Sequence, residues 1–184
     1  MSVTLAIVTM AALGGCSDAG EEPSVEPTST ASEAVEPVDT DAALGKVQGR
    51  LDTAAAQSVV TEVTAVVDSW IDGGLGGDYP RTDFGDGFSG FTEDARALAE
   101  KRSAVLTNAD LGADLGEVEL VERVVRVDVA APKGRPVGAT ARVRVRLVLD
   151  GDRTDVVSGR LLLTPTAEGW QVFGFDLARG QEGA

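Results

Sequence analysis

Four kinds of side chain in this 184-residue sequence have types and spacing that could do chemistry. Asp150, Asp152 and Asp155 stand close together in "DGDRTD", with the spacing that opens a calcium loop. Such a loop also needs glycine at its sixth position and a bidentate acid at its twelfth; counted from Asp150 these are Asp155 and Leu161, so the stretch reads as a solvated hairpin turn. Tyr79, the only tyrosine, sits in a glycine-rich loop. Arg142, Arg144 and Arg146 recur at every second position, and Cys16 is the single cysteine. Histidine is absent, which removes the commonest general base near neutral pH and the commonest metal ligand. Serine–histidine and cysteine–histidine hydrolysis are thereby excluded, and no metal site or cofactor is expected.

The formal net charge of −14 argues against nucleic acid as a partner, because the sequence-independent attraction to phosphate is missing. The acidity is uneven. Residues 51–116 carry twelve acids against four bases, whereas 117–184 carry ten of each, so the second half is neutral with a basic stripe at Arg142, Arg144 and Arg146. That stripe is either a partner-facing surface or a solvated sheet face paired with acids on neighbouring strands.

Cys16 follows an uncharged, mostly apolar run, "VTLAIVTMAAL", at residues 3–13. The run falls short of the roughly 20 residues that span a bilayer as a helix, but it suits a signal-peptide core. No strand alternation surrounds the cysteine, which speaks against a buried core thiol. "LGGC" resembles the bacterial lipobox, which implies cleavage between Gly15 and Cys16 and attachment of lipid to the Cys16 sulfur. On that resemblance residues 1–15 are a lipoprotein signal peptide, and the protein is anchored in the cell membrane at its extracytoplasmic face. Residues 17–50 hold eight acids against Lys46 and Arg50, with Pro23, Pro27 and Pro37 interspersed. That composition predicts a disordered, acidic linker over 16–50, with a weak helix tendency at "DAALGKVQ".

From Leu51 to Ile71 apolar residues recur in steps of three and four, predicting a long helix with Asp52 as N-cap and Gly73-Gly74 as its stop. Phe84, Phe88 and Phe91 have the spacing of one helix face within a glycine-rich loop, and Thr92 opens a further short helix. After Gly116 the period changes to two. Val118 and Leu120 have the opposite parity to Val125, Val127 and Val129, which predicts a bulge near Val121–Arg123. Ala139 to Leu149, "VVSGRLLL" and "WQVFGFDL" supply three more strands.

The expected fold over 51–184 is therefore α+β: a long N-terminal helix and short helices packed on a curved, mainly four-stranded antiparallel sheet. This order is similar to the nuclear transport factor 2-like, or SnoaL-like, cone and to the soluble domains of actinobacterial Mce-associated envelope proteins. The resemblance implies a pocket on the concave side of the sheet, closed by the loop at 79–91. Trp70, Tyr79, Phe84, Phe88, Phe91, Trp170, Phe173 and Phe175 either line such a pocket for an apolar small molecule or fill the core. The functional expectation is a non-enzymatic, membrane-anchored lipoprotein that binds an envelope partner protein or an apolar small molecule. The alternatives are an isomerase or hydratase on the same scaffold and a purely structural accessory lipoprotein. The enzyme would need an acidic base and an oxyanion donor in the pocket, and no residue maps onto either role.

Overall fold

The computed structural model describes residues 38–183, so Cys16, the expected signal segment and most of the expected linker lie outside the described residues. The described chain runs β1 (Asp41–Gly49), α1 (Thr53–Gly74), α2 (Glu93–Glu100), α3 (Ser103–Leu106), β2 (Val118–Ala131), β3 (Gly138–Leu149), β4 (Arg153–Thr166) and β5 (Gly169–Gln181). The class is α+β. The strands form one sheet in sequence order, β2 to β5 antiparallel and β1 parallel to β2.

Two expectations are corrected here. The sheet has five strands and is mixed, and residues 41–49, expected in a disordered linker, form its first strand. The physical reason is that β1 draws its order from contacts 82 to 85 residues away in the chain. Arg126 donates to the Asp41 carbonyl oxygen and carboxylate, both at 2.6 Å, and Asp128 accepts from the Lys46 backbone N–H at 2.7 Å. Gly45 lets the Asp128 carboxylate lie against the β1 backbone, where a Cβ would collide with it. A strand held by edge pairing and three polar contacts needs little hydrophobicity of its own, which is why composition shows no strand there.

Helix α1 starts where Asp52 accepts a hydrogen bond from the Ala55 N–H at 2.8 Å. Its buried side chains Ala56, Val59, Val60, Val63, Val67, Trp70 and Ile71 form one stripe against the inward residues Val125, Val127, Ala141, Val145, Leu147, Val157, Leu161 and Leu163 of the sheet. Two bulges set which residues those are. In β2 the register with β3 slips between Leu120 and Glu122, so Leu120 and Val125 both face inward despite opposite parity. In β5 the register with β4 slips around Phe173: Val172 lies opposite Leu163 and Gly174 opposite Leu162. Phe173 is left over and points outward.

The short helical turn expected within the glycine-rich loop is a single 3-10 turn over Gly85–Phe88, and Phe84, Phe88 and Phe91 are all buried. The turn packs backbone to backbone on the last turn of α1. A Cβ at Gly73 would stand 2.5 Å from the Gly87 nitrogen, and one at Gly87 would stand 2.7 Å from the Gly74 nitrogen. Neither glycine has room for a side chain. Gly87→Ala is therefore expected to lower the urea unfolding free energy by about 1–3 kcal/mol, the usual cost of overpacking. An unchanged midpoint would show that the two backbones can separate at no cost.

Candidate functional site

Most of the aromatic residues fill the core; Trp170 borders a shallow depression beside Ser69 and Ser89, and Phe173 one on the outer face of the sheet. Trp70, Phe84, Phe88, Phe91 and Trp170 are buried, with Tyr79 and Phe175 packed partly buried beside them. Phe88 meets Phe91 edge to face at 5.3 Å between centroids, and Phe91 meets Phe175 at 6.4 Å, so the two sequence clusters join into one core. The expectation that Phe173 belongs to this set is corrected: the β5 bulge turns it outward, and it is 52% exposed. Tyr79 has a packing role, since its hydroxyl donates to the Leu75 carbonyl at 2.9 Å and accepts from Asn108 Nδ2 at 2.7 Å.

The arginine stripe is internally paired. Arg142 forms a two-pronged contact with Asp128 at 3.0 and 3.1 Å; Arg144 and Arg146 straddle Glu122 and Glu182, with closest approaches of 3.3 and 3.5 Å. Arg126 with Asp41 and Arg160 with Asp176 extend the same pattern across the outer face. This face presents alternating charge in place of a bare basic surface. Burial raises the Asp128 carboxyl, but the Lys46 N–H bond and the Arg142 guanidinium outweigh it and hold the group below the usual carboxylate range.

The aspartates of "DGDRTD" separate. Asp150, in the left-handed region at φ 49°, accepts from the Gly116 and Glu117 backbone N–H groups at 2.9 and 3.0 Å and so ties β3 to the start of β2. Asp155 points the other way. It shares the inward face of β4 with Val157, Leu161 and Leu163 and is 0% exposed. Arg153 donates to it through Nε and Nη2 at 2.8 and 2.9 Å, and Arg179 of β5 donates through Nε at 2.7 Å. Burial raises the Asp155 carboxyl, yet the hydrogen bonds and charges of Arg153 and Arg179 together lower it on balance. Two guanidinium groups against one carboxylate leave the cluster with an excess positive charge.

This cluster forms one wall of a cavity of about 380 Å³ between β4, β5 and α3 with the segment that follows it, where Val105 of α3 and then Asn108, Asp110 and Leu111 stand opposite. Asn108 is placed by the end of α1: its backbone N–H donates to the Gly74 carbonyl at 3.1 Å and its Nδ2 to the Leu75 carbonyl at 2.8 Å. Because that carbonyl can only accept, the amide orientation is fixed, and Oδ1 is left buried with no partner among the described residues. Arg179 donates through Nη1 to the Thr107 carbonyl at 2.8 Å, while its Nη2, likewise buried, has no partner. Both atoms are closed off from solvent, so each carries the cost of an unmet buried group, about 1–3 kcal/mol, inside the packing and not on the cavity surface.

Neither Asn108 nor the two arginines stand out in the sequence. The available signal was parity: Asp155 has the phase of Val157 and Leu161, and Arg179 that of Phe175 and Leu177, which places one acid and one base on apolar strand faces. Chemically, Asp155 is a poor proton acceptor, being ionised and bonded three times; what the cluster offers is a fixed site for charge recognition.

The sign of the pH dependence follows. With its folded-state carboxyl lowered, Asp155 adds stability that is fully present above the unfolded value of about 3.9 and is lost as the pH falls through the lower folded value. Asp155→Asn is expected to destabilise the domain at pH 7 by about 3 kcal/mol, since it leaves Arg179 buried and unpaired, and to unfold with a shallower pH dependence below about pH 4. Urea titrations at pH 7 and pH 3 check this; parallel pH profiles for the two proteins would contradict it. No family, curated protein or solved structure matches the chain.

Proposed function

We propose that this chain is a lipid-anchored protein of the cell envelope, held at the extracytoplasmic face of the membrane through Cys16, whose α+β domain is a binding module and not an enzyme. The anchor rests on "LGGC" after a short apolar run. The domain is read as a cone of the nuclear transport factor 2-like type, similar to Mce-associated envelope proteins. Helices grouped ahead of an antiparallel meander support that reading, while β1 is an addition to it.

The observation that carries the binding reading is Asp155, a fully buried carboxylate in the cavity wall that is already satisfied by two arginines. Asp155, held by three bonds from two arginines with its carboxyl lowered, is a poor general base for isomerase or hydratase chemistry. The packed aromatic core also turns the reading away from an apolar ligand and toward a polar one. A partner protein meeting the envelope domain remains the other form of the same proposal.

Membrane fractionation of cells expressing the full chain or its Cys16→Ser variant tests the anchor. The expected result is wild-type protein in the membrane fraction and at least tenfold less of the variant there, with its N-terminal segment uncleaved. Equal membrane retention of both would overturn lipid attachment at Cys16. Native mass spectrometry of the full chain released in detergent tests the binding module, for which a co-purifying mass is expected.

A further inference from the structure

We infer that the end of the sheet formed by the β2–β3 hairpin and the close of β1 docks on a bilayer surface containing anionic phospholipid. Arg50, Lys133 and Arg135 face the headgroups there, and Val137 and Phe173 enter the interface. This rests on the membrane-anchored reading and adds to it an orientation of the domain. Elsewhere the outer face of the sheet is charge-matched: Arg126, Arg142, Arg144, Arg146 and Arg160 each have a carboxylate partner. Arg50, Lys133 and Arg135 are exposed, and none of them forms an ion pair among the described residues.

The fold gathers these cations. The Arg50 N–H donates to the Ala131 carbonyl at 3.3 Å, which lays the end of β1 on the hairpin, and Arg50 and Lys133 border one shallow depression. Lys133 has φ 59°, a left-handed conformation that glycine or asparagine adopts more readily, so the turn itself does not call for a lysine. Val137 is 52% exposed. Phe173, equally exposed, shares a depression with Gln48, Ala130 and Gly138, the residues that flank the same hairpin and the close of β1. Asp128, which also borders it, is held by Arg142 and the Lys46 N–H, and Asp52 is held by the Ala55 N–H. Exposed apolar side chains beside unpaired cations match a lipid interface, whose acyl boundary takes the first and whose anionic headgroups attract the second.

The net charge of −14 does not prevent this contact. At physiological ionic strength charges are screened over about 8 Å, so those at the contacting end decide. Asp41 stands 25 residues after Cys16, and an extended chain of that length spans at most about 90 Å. A lipidated Cys16 therefore keeps the domain close to the bilayer, where a weak contact is enough to orient it.

The test is tryptophan fluorescence of the full-length chain carrying Val137→Trp, incorporated in phosphatidylcholine vesicles with or without about one third phosphatidylglycerol, with brominated acyl chains as quencher. Trp70 and Trp170 are buried, and their signal is subtracted using the parent chain. Quenching of the added indole is expected to be at least threefold greater with phosphatidylglycerol. That increase should vanish when Lys133→Gln and Arg135→Gln are added, and should be missing from Leu98→Trp, an exposed position on the acidic helix α2. All four substituted positions are exposed, so none threatens the fold. Equal quenching of Val137→Trp in the two vesicles would overturn the docking surface, as would an increase that survives loss of the two cations. An equal increase at Leu98→Trp would overturn the orientation. Incorporation of the Cys16→Ser chain, measured alongside, reports on the anchor alone: if it matches the parent chain the lipid anchor fails, while the headgroup-dependent quenching is still read at position 137.

Discussion

The last turn of α1 is buried, and the carbonyls that a helix end leaves without intrahelical partners must be satisfied there by other parts of the chain. Leu75 and Gly76 N–H groups both return to the Ile71 carbonyl, Arg81 Nη2 donates to the Gly73 carbonyl at 3.0 Å, and the Asn108 N–H takes the Gly74 carbonyl. The Leu75 carbonyl receives both Tyr79 and Asn108. Trp70, wholly buried, adds a bond from its indole N–H to the Leu106 carbonyl at 2.9 Å. With no glycine in the left-handed conformation directly ending this helix, its termination is a tertiary event, and two segments are fixed in place by it: the loop with Tyr79 and Arg81, and Leu106 with Asn108.

That requirement links the core to the cavity. The segment that answers the helix end, Thr107 and Asn108, is the same one that Arg179 reaches from β5, and Arg179 in turn holds Asp155 on β4. Disturbing the packing of Trp70 would therefore be felt at the polar cluster without any direct contact between them. The ionic cluster is itself a weak source of net stability, since desolvating three charges offsets much of their attraction. Its effect is geometric: it sets where β4, β5 and the segment after α3 stand relative to each other, and so the shape of the cavity.

The outer face of the sheet obeys a different rule. There acids and arginines alternate across neighbouring strands, each pair exposed enough that it contributes at most about 1 kcal/mol. Their joint consequence is that an open sheet face carries neither an apolar patch over most of its area nor a single sign of charge, although the chain as a whole is strongly acidic. The pairing of Arg126 with Asp41 also recruits β1, so that a stretch of low hydrophobicity covers the edge of β2.

What the sequence by itself determined is whatever depends on near neighbours. The apolar steps from Ala56 to Ile71 mark the buried face of α1, Asp52 and Thr92 cap helices, and the parity change between Leu120 and Val125 locates the β2 bulge. These features are legible because periodicity and capping are properties of a few consecutive residues. What only the tertiary structure decided depends on residues far apart in the chain. β1 exists through contacts with Arg126 and Asp128; Phe173 faces outward because β5 slips against β4; and the parity of "RTDVV" put Asp155 on an apolar face without saying what would meet it there. Its partner Arg179 lies 24 residues on, and the Asn108 opposite was placed by the end of α1. A buried charge is tolerated only where its partners converge, and convergence is decided by the packing of whole elements rather than by the residues beside it.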